Sequence, residues 1–415
     1  IDESLKDNGD GSLDEATIVN TATLHLAAAP SGKLAQPIGE NAQAMQAAAG
    51  ANDFAFRLSA TLLQVADPNQ NFLCSPYSVW LPLAALSNAT IPDARPALLT
   101  ALGAEGLTPE DLNAAASRQL YNLTLMGEKN PLKIVNAIFV DRTAELNPTF
   151  AQIFADEYLG SPFQVNFLSK DAVDAVNEWA SEHTEGLITD VIEEFDPSTV
   201  AALVNAIYFS DGWLDQFDES NSKAGVFYAP DQEVEVMYMN RRARVPYYED
   251  DTVQVVDLPF TMGGGLLILL PKDQDASKLL ESMTAKRFTD ILSGMHDGAG
   301  LLQLPRFEIQ TQTMDLADAL IAMGIPLFDE QTAPLTGGLL ADASRTWVDQ
   351  AVQKAMIKVD EKGTTAAAVT VVSVTRESMP PPFEMICDSP FAFVLHAPTV
   401  DGGEQVLFTG VVNAP

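Results

Sequence analysis

The spacing of hydrophobic positions changes character along the chain. From residue 52, Asp53-Phe54-Ala55-Phe56-Arg57-Leu58 and on to Leu63 repeats at helical spacing, with Asn52 or Asp53 as the cap. The short apolar run Phe72-Leu73-Cys74 meets Ser75-Pro76. Residues 77–86 then read as a buried helix, with Pro76 suited to its first turn. Thr108-Pro109-Glu110-Asp111 opens another helix, Thr108 capping and the acids facing the positive end of the dipole. Residues 171–183 are amphipathic, and 315–323 form a helix stopped by Gly324.

Strand patterns take over further on. They cover 134–140, 200–209, 234–239, 253–258, 266–270, 301–309, 352–359, 391–395 and 406–412. Pro305 inside one of them signals an edge or a bend. Helices dominate the first half and strands the second, with no regular strand–helix alternation and no internal repeat. The class is α+β, helices around large mixed or antiparallel sheets.

Residues 1–50 stand apart, rich in Ala, Asp, Gly, Asn and Ser and poor in large apolar side chains. They read as an acidic N-terminal extension, mobile or draped on a body that begins at 51. Asp7-Asn8-Gly9-Asp10-Gly11 invites a calcium-loop reading, but Lys6 and Thr17 stand where such a loop needs acids, so a polar linker is preferred. The chain starts at Ile1 without an initiator Met, as a trimmed product would, by loss of a secretory leader or by the bounds of the expressed segment.

Composition narrows the classes. With 47% hydrophobic residues over 415 positions the chain can bury a sizeable core. Lys and Arg number 23 against 57 acids, a net charge of −34, which argues against binding nucleic acid or an anionic membrane and serves solubility. Cys74 and Cys387 are too few for a disulfide scaffold or a zinc site. One long-range bridge and two buried free thiols both fit. His25, His183, His296 and His396 lack ligand spacing, so neither metal nor cofactor is expected. No apolar run is long enough to span a bilayer.

Catalytic patterns are missing. There is no G-x-S-x-G elbow, Walker A, dinucleotide fingerprint or H-E-x-x-H. Gly263-Gly264-Gly265 reads as a hairpin tip, and Glu193-Glu194 and Asp250-Asp251 as solvated surface. A hydrolase or lyase with an unrecognised site is the alternative from another class.

One segment does not behave like ordinary structure. After Lys358-Val359-Asp360-Glu361-Lys362-Gly363, small and β-branched residues run from Thr364 to Thr375 without charge or proline. Arg376, Glu377 and the triple proline Pro380-Pro381-Pro382 stop it. As an exposed loop it would invite aggregation and proteolysis, so it needs a strand to become.

Here the chain resembles the serpin family, over residues 52–415. The segment is similar to the family's hinge and reactive-centre loop, about 361–382. Asn71-Phe72-Leu73-Cys74-Ser75-Pro76-Tyr77-Ser78 resembles the strand that leads into helix B. Val176-Asn177-Glu178-Trp179 and Thr184-Glu185-Gly186-Leu187-Ile188 resemble the helix F signature, and Leu203-Val204-Asn205-Ala206-Ile207-Tyr208-Phe209 with Trp213 resembles strand 3A and the breach tryptophan. Leu304-Pro305-Arg306-Phe307, Phe391-Ala392-Phe393 and Leu407-Phe408-Thr409-Gly410-Val411-Val412-Asn413 fit in order.

The resemblance implies a single serpin domain over 51–415, about nine helices around three β-sheets with an exposed loop. It implies a secreted, extracellular, monomeric suicide-substrate inhibitor of serine and, in some members, cysteine proteases, of the prokaryotic type. The protease cuts the loop, the cleaved loop inserts into the main sheet, and the acyl-enzyme is dragged across the body. At about 3.3 Å per residue, roughly fifteen inserted residues move it on the order of 50 Å. At period 2, Thr364, Ala366, Ala368, Thr370, Val372 and Val374 share the face to be buried, and all are small or β-branched.

By the family's register the hinge is Glu361, Gly363, Thr364, Thr365, Ala366, Ala367 and Ala368, and the reactive bond is Glu377–Ser378. That suits a glutamyl-specific protease. Arg376 suits a trypsin-like enzyme, and Thr375 an elastase- or subtilisin-like one. Trp213, Arg306 and Glu361 match the breach. Ser75, Ser78 and Asn205 match the shutter, where Gln353 replaces the usual His. Residues 91–107 hold almost no basic side chains, so heparin is not expected as a partner. A non-inhibitory relative, a carrier or plain protease substrate, is the competing outcome.

Overall fold

The structure, a computed structural model, describes residues 25–28, 39–125, 132–169, 171–184, 186–195, 199–273, 275–342, 344–364 and 382–415. In chain order these form β1 (His25–Leu26), α1 (Ala42–Leu63), β2 (Phe72–Cys74), α2 (Pro76–Leu86), α3 (Arg95–Ala101), α4 (Pro109–Leu125), β3 (Leu132–Asp141), α5 (Pro148–Tyr158), β4 (Ser161–Val165), α6 (Asp171–His183), β5 (Ala201–Phe209), β6 (Asp211–Gly212) and β7 (Lys223–Tyr228). There follow β8 (Glu233–Glu249), β9 (Val253–Pro259), β10 (Gly265–Pro271), α7 (Ala276–Glu281), α8 (Ala285–Gly294), β11 (His296–Pro305), β12 (Phe307–Gln310), β13 (Met314–Asp315), α9 (Ala317–Ala322), β14 (Gln350–Val359), β15 (Gly363–Thr364), β16 (Pro382–Ile386), β17 (Phe391–Pro398) and β18 (Glu404–Val412).

Among the described residues, nine α-helices surround a seven-stranded, a nine-stranded and a two-stranded sheet. The first is ordered β1-β4-β3-β5-β14-β12, with β13 also on β14. The second runs β16-β11-β8-β9-β10-β17-β18-β2, with β7 on β8. The class is the expected α+β. Between the two large sheets lies the main core, holding Trp80, Tyr77, Phe54, Phe391 and Phe393.

The local chemistry explains most boundaries. Thr108 accepts from Asp111 N at 3.2 Å while Asp111 Oδ2 accepts from Thr108 N at 2.9 Å, a reciprocal cap on α4. Gly263 and Gly264 form the tip of the β9–β10 hairpin at positive φ, and a Cβ on Gly264 would lie 2.2 Å from the His396 carbonyl. Pro305 ends β11 in one sheet, and β12 starts two residues later in the other. The bend expected there is a crossing between sheets.

The first helix differs from expectation. It starts at Ala42, capped by Asn41, whose side chain accepts from Ala44 N at 2.8 Å. Asn52 sits buried in mid-helix instead. Its Oδ1 accepts from Gln405 Nε2 (2.7 Å) and Val406 N (2.8 Å), and its Nδ2 donates to the Glu404 carbonyl (2.7 Å). An Asn before an apolar run looks like a cap in sequence, but here it stitches α1 to β18. Within the residues read as an extension, His25 and Leu26 pair with Gln164 and Phe163 at the edge of the seven-stranded sheet. Residues 7–11 lie outside the described residues. Cys74 and Cys387 are both free and buried, and burial pushes both thiols up. That settles the two open readings in favour of thiols.

Candidate functional site

β5 and β14 are direct neighbours in the seven-stranded sheet, paired in parallel from Ala202↔Gln350 to Tyr208↔Met356. No loop strand lies between them among the described residues. This closed seam is where the resemblance expects the loop to insert, and the site is described along its length.

At the middle of the seam lie the four residues assigned to the shutter. Asn205 on β5 and Gln353 on β14 are register partners, so their side chains leave the sheet on the same face. Ser75 and Ser78 come up from the start of α2. Gln353 is fully buried. Its Oε1 accepts from Ser75 N at 2.9 Å, and its Nε2 lies 2.8 Å from Asn205 Oδ1, 2.9 Å from the Ser75 carbonyl and 3.0 Å from Ser78 Oγ. Ser78 Oγ in turn lies 2.7 Å from Asn205 Oδ1. The amide supplies both donor and acceptor at this position, so the network closes with glutamine.

Asn136 completes the row from β3, opposite Asn205 in register, and its Oδ1 accepts from Asn205 Nδ2 at 2.6 Å. The sequence reading missed it. An amide inside the apolar run 134–140 was the available signal.

The outer face of the seam is covered. Val204 of β5 and Val352 of β14 belong to a second hydrophobic cluster with Trp179 and Val176 of α6 and Ile188, Val191 and Ile192 beyond it. The α6 motif holds this cover in shape. Asn177 Oδ1 accepts from Ile192 N (3.0 Å), its Nδ2 donates to the Ile192 carbonyl (2.8 Å), and Thr184 Oγ1 accepts from Ile188 N (3.1 Å). Lys354, next along β14, pins the cover through Asp190, donating to Oδ1 at 2.7 Å and to the carbonyl at 3.1 Å. The lysine bond holds the Asp190 carboxyl below its usual range. Lys354 and Asp190 were also not anticipated.

At the upper end of the seam the chain leaves β14, turns at 360–362 and returns as β15. Trp213 clamps this turn. Its Nε1 donates to the Asp360 carbonyl (2.8 Å), its N to the Lys362 carbonyl (2.9 Å), and its ring stacks on Phe260. Arg306 donates to Glu361 Oε1 from Nε (2.9 Å) and Nη2 (2.6 Å), and Ser222 Oγ donates to the same oxygen. Burial works to raise the Glu361 carboxyl, but Arg306 and Ser222 outweigh it and hold it below its usual range.

Gly363 has φ +143° and pairs with Gly212, and a Cβ there would lie 2.2 Å from the Asp211 carbonyl. Thr364 Oγ1 accepts from Asp211 N (3.1 Å). The structure therefore joins Trp213, Arg306, Glu361, Gly363 and Thr364 in one cluster. Thr365, Ala366, Ala367, Ala368, Thr375, Arg376, Glu377 and Ser378 lie outside the described residues. The chain resumes at β16, parallel to β11 on the second sheet.

The family description Serpin (serine protease inhibitor) matches residues 49–415, so the chain belongs to the serpin family. It is 32% identical over 395 residues to plasminogen activator inhibitor 1 of Mus musculus, covering 91% of this chain and 94% of that one. The fold matches the thermophilic serpin tengpin in its native state at TM-score 0.80 and 22% identity, covering 95% of this chain and 100% of that one. It matches human thyroxine-binding globulin complexed with thyroxine at TM-score 0.77 and 24% identity, covering 90% and 100%. The family consists mostly of protease inhibitors and not of catalytic enzymes. No helix among the described residues is long and apolar enough to cross a membrane.

Proposed function

We propose that this serpin traps secreted serine proteases as a suicide substrate, acting as a monomer. The observation that carries the reading is the closed β5–β14 seam with the hinge anchored at its upper end. β14 runs up to the turn at 360–362 and the loop returns, so an inserted strand would run antiparallel to β14. Because β5 is parallel to β14, the new strand would be antiparallel to both. Insertion would exchange one parallel ladder for two antiparallel ones, which pair slightly better per residue. The side chains offered to the buried face, Thr364 to Val374 in alternation, carry no charge to desolvate.

The reactive bond is Glu377–Ser378 in this reading, with Arg376 or Thr375 taking the specificity role for trypsin-like or elastase-like enzymes. The test mixes the protein with trypsin, elastase, subtilisin and a glutamyl endopeptidase. Adducts are read on a denaturing gel, and the released C-terminal peptide is weighed. A denaturant-resistant adduct with the peptide starting at Ser378 is expected. Cleavage by every enzyme without an adduct would leave a carrier or plain substrate.

A further inference from the structure

The hinge lies between the two strands of the seam, in the register of the seam itself. β14 pairs with β5 at a constant offset of 148 residues, 350 − 202 at one end and 356 − 208 at the other. Gly363 is bridged on one side to Asp360 and paired on the other with Gly212, and 360 − 212 is again 148. The strands therefore fork above Tyr208–Met356, and Gly363 and Thr364 sit in the fork, antiparallel to both sides. Lengthening this nucleus asks β5 and β14 only to part, with no sliding of one past the other. A slip of a single residue would turn Thr364 to the opposite face and bury the wrong side of the loop.

On the β5 side that register depends on β6, which is only two residues long, and Gly212 has no side chain to hold it. The anchor is the buried Asp211 carboxylate. Its Oδ1 accepts from Thr261 Oγ1 and from Gly212 N (2.7 Å), and its Oδ2 accepts from Met262 N (2.9 Å). Burying a carboxylate is unfavourable unless its oxygens are bonded, as these are. Thr261 N also donates to the Gly212 carbonyl at 2.9 Å. Thr261 and Met262 lie at the tip of the β9–β10 hairpin, whose strands belong to the nine-stranded sheet. The side chain of Asp211 thus fastens β6 to the second sheet, while its backbone receives the hinge. Thr364 is fully buried, and its hydroxyl accepts from Asp211 N (3.1 Å) and donates to the Asp211 carbonyl (3.3 Å).

We propose that Asp211 is a positioning residue for loop insertion: it fixes β6 on the β9–β10 tip, so that the hinge stays registered between the two seam strands and the cleaved loop extends that register. This rests on the inhibitory reading, and the test separates the two. Wild type, D211A, D211N and N52A are compared in two ways. One is amide hydrogen exchange of the intact protein. The other is the number of inhibitor molecules consumed per protease trapped, with whichever enzyme of the panel above forms an adduct. D211A should speed exchange over 211–213 and 361–364 at least tenfold, leave 350–356 unchanged, and raise the consumption at least threefold. D211N keeps Oδ1 as an acceptor for Thr261 and Gly212, and should stay within about twofold of wild type in both readings. N52A removes bonds between α1 and β18 instead, and should move neither. If D211A does not fold, T261V removes one hairpin bond and should speed the same local exchange at least threefold. Unchanged exchange over the hinge, or faster exchange with unchanged consumption, would overturn the proposal. So would N52A matching D211A, since the effect would then follow general stability. If the wild type forms no adduct, the inhibitory reading fails, while faster local exchange in D211A still upholds Asp211 as the anchor of the hinge register.

Discussion

Replacing Gln353 with Leu tests whether the polar row restrains the seam. The side chain is fully buried, and leucine has nearly its volume but none of its hydrogen bonds. Of the groups it serves, Ser75 N loses its only side-chain acceptor. The Ser75 carbonyl, Ser78 Oγ and Asn205 Oδ1 each keep another partner in the network. One orphaned buried N–H costs about 1–3 kcal/mol, and each lost side-chain bond about 1 kcal/mol net. The native state should therefore lose about 3 kcal/mol.

How much of that appears as easier opening depends on which bonds break when β14 leaves β5. The bond from Gln353 Nε2 to Asn205 Oδ1 crosses the seam and must break, while those to Ser75 need not. The lower bound is then about 1 kcal/mol, a roughly fivefold faster opening. The upper bound is the full loss, on the order of a hundredfold. The assay adds a synthetic peptide of residues 364–375 in excess and follows its incorporation by native-gel mobility, with thermal unfolding measured in parallel. A rate between about five and a hundred times that of the wild type is expected. A lower melting temperature with incorporation within twofold of wild type would refute the argument, because the row would then stabilise the body without restraining the seam.

Three further outcomes follow from the same geometry. Thr370→Arg puts a charge on the face to be buried, at a cost of several kcal/mol; cleavage should continue while the stoichiometry of inhibition rises at least tenfold, and an undiminished adduct yield would count against insertion. Asn52→Ala removes two buried bonds and one partly buried bond between α1 and β18 and should cost about 2–4 kcal/mol in urea unfolding, with a loss under 1 kcal/mol contradicting the stitch. His396 is buried between Glu404 Oε2 (2.8 Å) and Asp257 Oδ1 (3.3 Å); burial lowers it, but the two carboxylates outweigh burial and raise it to about 9. A raised pKa gives stability that is complete below the unfolded value near 6.5 and lost as pH rises through 9, about 3 kcal/mol in all. His396→Gln should flatten that decline, and an unchanged profile would rule the cluster out as its source.

The parts of the site legible in sequence are those whose residue types carry a local demand. Gly363 has to be glycine where a Cβ would strike the Asp211 carbonyl, and Trp213 and the Arg306–Glu361 pair sit inside motifs with fixed spacing. Gln353 could be placed because its neighbours Ser75, Ser78 and Asn205 each belong to a motif of their own. Asn136 and the Lys354–Asp190 pin escaped because nothing local requires them. Asn136 is one amide in a strand of apolar residues, and only the register of β3 against β5 brings it opposite Asn205. Lys354 reads as a surface lysine until the segment after α6 is laid across β14. The same gap between local pattern and register misplaced the first helix cap. Asn41 and Asn52 are equally good caps by residue type, and the choice between them was made by β18, which offers Asn52 three hydrogen-bond partners about 350 residues away. The residues along this seam are thus of two kinds. One kind is demanded by backbone geometry at the hinge. The other is polar groups that only the register makes satisfiable, and among their bonds the one from Gln353 to Asn205 crosses the β5–β14 seam.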